Sequence, residues 1–75
     1  MTHEIDALGL LCPLPVLKLR KRLKALAPGE IARLLADDPA AIVDVPHFCN
    51  ESGHTLISSA EDNGILTFEI KKAGS

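Results

Sequence analysis

Two prolines with a single residue between them, Pro13 and Pro15, leave few backbone choices to the stretch Gly9-Leu10-Leu11-Cys12-Pro13-Leu14-Pro15-Val16-Leu17. Neither has an N–H to donate, so a helix accepts them only in its first turn. The apolar pattern changes there from alternation to a period of about 3.6 residues, which marks a strand-to-helix junction. Cys12 stands at that junction, in or beside the N-cap slot that usually holds Ser, Thr, Asp or Asn. Pro13 suits the first helical position, while Pro15 biases Leu14 away from α backbone. A helix start at Cys12 and one at Leu14 or Pro15 are both compatible with these residues. In either case the thiol is expected at the positive end of a helix dipole, where a thiolate is favoured.

Short elements follow one another around this junction. His3–Leu8 reads as a strand, with Ile5 and Ala7 alternating against Glu4, Asp6 and Leu8. Gly9 then turns the chain into the Cys12 loop. Asp6 is a candidate to cap or brace that loop; an exposed strand-end carboxylate is the plain alternative. Between Pro15 and Ala27 an apolar stripe of Val16, Leu19, Leu23, Leu26 and Ala27 predicts a helix. Lys18, Lys21, Arg22 and Lys24 lie opposite, Arg20 sits at the border, and Pro28-Gly29 ends the element. Glu30–Ala36 is apolar on both faces, as a central strand would be, and the unit should make a right-handed parallel crossover.

Asp38 reads as an N-cap ahead of Pro39. Pro46 cannot sit deep in a regular helix without losing a hydrogen bond. A short turn over 39–43 is therefore expected, then a second helix capped by Asp44 and closed by Gly53. Cys49 falls on its inward stripe and is expected in the core. His54–Ala60 and Ile65–Lys72 form a hairpin through Asn63-Gly64, and Ala73-Gly74-Ser75 is expected to fray. The order β-α-β-α-β-β describes an α/β chain of the α+β two-layer sandwich type. Both helices pack on one face of a four-stranded mixed sheet, with residues 1–75 as a single domain; strand order stays open.

Composition narrows the function more than the fold. A chain of 75 residues buries only about 60% of its unfolded surface. Lacking Trp and Tyr, and with only Phe48 and Phe68, it must build its core from Leu, Ile, Val and Ala. No apolar run approaches the roughly 20 residues of a membrane span, and no basic-then-apolar leader opens the sequence, so a cytoplasmic protein is expected. Cys12 and Cys49 are too few for a stapled secreted scaffold, and neither belongs to a CxxC pair. His3, His47 and His54 are scattered, so no metal site is expected, and no Ser/His/Asp order or Gly-rich phosphate loop is present. A net charge of −2 makes the basic helix face a local patch. With so few aromatics for stacking, direct nucleic-acid binding is not expected.

Cys12-Pro13-Leu14-Pro15 at a helix start, preceded by Asp6-Ala7-Leu8-Gly9-Leu10, resembles the TusA/SirA-like sulfur carriers. Asp37-Asp38-Pro39, Asp44-Val45-Pro46-His47-Phe48-Cys49, Gly53-His54 and Ile70-Lys71-Lys72 are similar to that family in order and spacing. The resemblance implies that Cys12 carries sulfur as a persulfide, taken from a cysteine desulfurase or rhodanese-like donor and passed to a downstream acceptor protein. It implies no cofactor beyond that transient sulfur. Leu11 replaces a residue that is often basic in members acting in tRNA thiolation, and Leu14 one that is commonly acidic; both bear on the pathway rather than on the chemistry.

Within that reading Pro13, Pro15, Gly9 and Asp6 support the cysteine. The two prolines remove N–H donors near sulfur, or merely stop the strand and aim the helix. Leu11, Leu14 and Leu17 lie off the inward stripe and are expected to form an apolar docking patch rimmed by Lys18, Lys21 and Arg22. A solvated basic face is the alternative for those cations. A non-catalytic interaction or regulatory module, and more remotely a small RNA-binding domain, are the competing functions.

Overall fold

The computed structural model describes residues 2–74. Its elements run β1 (Thr2–Ala7), α1 (Leu14–Lys24), β2 (Ile31–Ala36), α2 (Ala41–Ser52), β3 (Thr55–Asp62) and β4 (Ile65–Lys71), the expected β-α-β-α-β-β order. The four strands form one sheet in the order β1-β2-β4-β3. β1 pairs with β2 in parallel, whereas β4 is antiparallel to both β2 and β3. β2 therefore takes the central place its two apolar faces predicted. β4 comes back between β2 and β3, a placement that periodicity alone left open.

Alternation along the strands then sorts the faces. Ile5 and Ala7, Ala32, Leu34 and Ala36, and Leu66, Phe68 and Ile70 are all buried on the helix side of the sheet. α1 covers them with Pro15, Leu19 and Leu23, and α2 with Ala41, Val45 and Cys49. The open face carries polar pairs instead: Arg33 meets its register partner Glu69 at 3.3 Å. At such exposure the pair adds at most about 1 kcal/mol, so the apolar layer holds the fold.

Several boundaries differ from the sequence expectation. α1 stops at Lys24, with Ala25 as C-cap, and Ala27 is exposed beyond it. Ala25 N–H to the Arg22 carbonyl and Leu26 N–H to the Leu23 carbonyl, both 3.1 Å, tighten its last turn and end it there, and Pro28-Gly29 lie inside the next turn, closed by Glu30 N–H to the Ala27 carbonyl (3.1 Å). α2 is continuous through Pro46 rather than broken before Asp44. Proline removes a single hydrogen bond there, and burial of Ala41, Val45 and Cys49 on either side of it outweighs that loss. Gly53 closes α2 in the left-handed conformation, φ 79°, as expected. Asn63 and Gly64, at φ 53° and 81°, make the tight hairpin turn between the paired residues Asp62 and Ile65. The tail is held as far as Ala73, whose N–H donates to His54 Nδ1 at 2.9 Å; Ser75 lies outside the described residues.

Leu34 is fully buried on the central strand, so Leu34→Ala should cost about 2–5 kcal/mol in urea unfolding. Ile57 sits exposed at the bulge of β3, and Ile57→Ala should stay within about 0.5 kcal/mol.

Candidate functional site

Parallel pairing sets Ala7 at the end of β1 level with Ala36 at the end of β2. The loops leaving the two strands therefore emerge side by side. In the first, Asp6 Oδ1 accepts the Leu8 N–H at 2.9 Å. Gly9 adopts φ +79°, which a side chain would strain. Its N–H reaches both carboxylate oxygens of Asp37 at 3.0 Å. Cys12 N–H donates to Asp38 Oδ2 at 2.7 Å, while Asp38 Oδ1 accepts the Ala40 N–H at 3.1 Å. Asp38 is thus not the N-cap of α2, a position taken by Ala40 without a side-chain bond. It stands a turn earlier and joins the cysteine loop to the start of the helix. Those two N–H bonds hold its carboxyl below the ordinary 3.8.

The helix after the cysteine starts at Leu14, with Pro13 as N-cap (φ −96°, ψ 14°) and Pro15 buried in the first turn. Pro13 therefore lies just outside the helix instead of at its first position. Leu14 N–H donates to the Leu11 carbonyl at 2.8 Å and closes a turn, so it is spent on backbone. The Cys12–Pro13 peptide bond is cis. Both cysteines are free: Cys12 is exposed, while Cys49 is 2% exposed in the core, as its stripe position predicted.

Electrostatics at sulfur depart from the expectation. Cys12 Sγ donates a hydrogen bond to Asp44 Oδ2. That bond raises the thiol above its ordinary 9.0, with smaller contributions in the same direction from desolvation and from the charges of Asp44 and Asp38. The resting group is a thiol. A helix N-terminus carries about half a positive charge, against the full negative charge of a carboxylate in direct contact, and the carboxylate wins.

Cys12 opens onto a groove of about 480 Å³ between the helices. Val16 and Arg20 form its α1 wall, and Asp44, His47, Phe48 and Glu51 its α2 wall. Residues three or four apart share a helix face, so each wall is one stripe beside the buried stripe of its helix. Leu11, Leu14 and Leu17 are exposed by 71%, 49% and 48%, and Lys21 and Arg22 are exposed as well. Lys18 differs: its ammonium donates to the Asp6 carbonyl and ties α1 to the end of β1. Arg20, placed at the border by the sequence, is the cation that reaches the groove. Among the described residues no three His, Cys, Asp or Glu side chains are grouped to share a metal ion.

Asp37, Asp38 and Asp44 are the site residues that sequence reasoning missed. For the first two a signal existed: acidic residues directly after a strand face whatever loop leaves its parallel neighbour at the same end. Asp44 is brought to sulfur by the unbroken path of α2, which Pro46 argued against.

The family described as Sulfurtransferase TusA matches residues 3–72, and the chain belongs to that family. The crystal structure of a SirA-like protein from Desulfitobacterium hafniense is similar over 100% of both chains, with 30% identity and a TM-score of 0.83. A general sulfur-carrier or sulfurtransferase role follows from the family, and with it exchange with sulfur donor and acceptor proteins. Among the described residues no helix is long and apolar enough to cross a membrane.

Alkylation of the empty protein by iodoacetamide, followed against pH, should give Cys12 a midpoint above 9.0. Cys49 should remain unmodified until the protein is unfolded.

Proposed function

We propose that Cys12 is the residue that bears sulfur, receiving it from a donor persulfide and handing it to a thiol of an acceptor protein. The observation that carries this reading is an exposed, unbridged thiol on a loop pinned by Asp37 and Asp38, opening onto the groove between α1 and α2. In loading, Sγ attacks the outer sulfur of the donor R–S–SH. The new bond joins Sγ to that sulfur, the old S–S bond breaks, and its electron pair leaves on the donor sulfur, which takes the proton that Cys12 gave up. The products are Cys12–S–SH and R–SH, with no external oxidant needed. A cysteine desulfurase or a rhodanese-like protein is the donor class, and tRNA thiolation is one outlet that suits such a relay. Free cysteines fit a reducing compartment, so we place the relay in the cytoplasm.

Leu11, Leu14 and Leu17 supply the apolar surface around sulfur on which the partners rest, with Lys21 and Arg22 at its rim. Two measurements test the proposal. Incubation with a desulfurase and cysteine should add one reducible sulfur to the protein, detected by intact mass, and Cys12→Ala should abolish the gain. Retention of that sulfur by C12A would overturn the assignment. Leu11→Asp should slow transfer from the donor at least about tenfold while leaving urea stability within about 0.5 kcal/mol, because the side chain is exposed.

A further inference from the structure

We propose that Asp44 biases Cys12 towards releasing sulfur: it accepts the hydrogen of the empty thiol and opposes the anion that the loaded cysteine becomes. This rests on the carrier reading above and deepens it. The contact between Sγ and Asp44 Oδ2 holds one proton, and that proton belongs on sulfur because a thiol is a far weaker acid than a carboxyl group. A persulfide is more acidic than the thiol it is built on, since its outer sulfur spreads the charge. At neutral pH the empty residue is therefore S–H and the loaded one largely S–S⁻. One carboxylate favours the first and repels the second.

The other charged groups around Sγ do not cancel this discrimination. Asp38, from the loop before α2, carries the same sign and is fixed by the Cys12 and Ala40 N–H groups. Glu51 is negative too, and it lies 3.6 Å from His47 on the same wall of α2. Arg20 of α1 lines the same groove with the opposite sign, but the side chain hydrogen-bonded to Sγ is that of Asp44. In unloading, an acceptor thiolate attacks the outer sulfur of the protonated form, Cys12–S–SH, and forms the new S–S bond. The bond from Sγ breaks, its electron pair stays on Sγ, and Sγ takes the proton given up by the outer sulfur and regains its hydrogen bond to Asp44. The oxidation level moves with the transferred sulfur.

The test equilibrates the full chain with a glutathione persulfide and glutathione mixture of fixed ratio at neutral pH, and reads loaded and empty protein by intact mass. Asp44→Asn should raise the loaded-to-empty ratio about fivefold. It should also move the alkylation profile of empty Cys12 to lower pH, a change that a merely structural role would not produce. Asp44→Glu, which keeps the charge, should return both readouts towards wild type. Asp44→Ser, a smaller uncharged polar residue in the first turn of α2, should repeat the Asn result if the amide perturbs folding. An unchanged ratio with wild-type uptake intact overturns the role of Asp44 and leaves the carrier reading standing. An alkylation profile that does not move also overturns it. Absence of sulfur uptake by wild-type Cys12 overturns both.

Discussion

The register of β1 against β2 is the constraint on which the site depends. Two parallel strands that end level, Ala7 beside Ala36, must release their loops at the same edge of the sheet. Functional loops collect at the carboxyl ends of parallel strands for this reason. Here the consequence is specific. The first loop carries the cysteine, and the second carries the carboxylates that take its backbone N–H groups. A slip of one residue would also turn Ile5 and Ala7 out of the core, so the burial that stabilises the sheet enforces the alignment of the site.

A cysteine at a helix start is usually argued to be activated by the dipole. In this chain the dipole is present, but the immediate environment of sulfur is acidic: Asp44 is in contact with it and Asp38 lies close enough to add charge. Short-range contact outweighs a partial charge spread over a helix turn that two prolines have already thinned of donors. The sulfur therefore rests protonated, and Leu11, Leu14 and Leu17, its neighbours in the chain, leave apolar surface exposed.

Most of the fold was legible because its signals are local. Breakers at Gly9, Pro28-Gly29, Gly53 and Asn63-Gly64 separated segments of clear period, and alternation in β4 marked its buried face. The errors arose where tertiary packing overrode local preference. Pro46 argued for a broken helix, but the buried stripe of α2 holds the helix through it. Lys18 looked like a docking cation from its helix position alone, and only the spatial nearness of Asp6 shows it spent on a carbonyl. Likewise Cys12 and Pro13 marked the place of the candidate site without revealing the charge around it. The carboxylates that decide the protonation of sulfur lie more than twenty residues downstream, a separation that no periodicity reports.

The bulge in β3 has an effect beyond the hairpin. β3 forms one margin of the sheet, and its pairing with β4 skips Ile57 between Leu56 and Ser58. A straight incoming strand would match the free backbone groups on one side of that residue and fall out of step on the other. That margin of the sheet is thereby discouraged from recruiting a neighbouring strand.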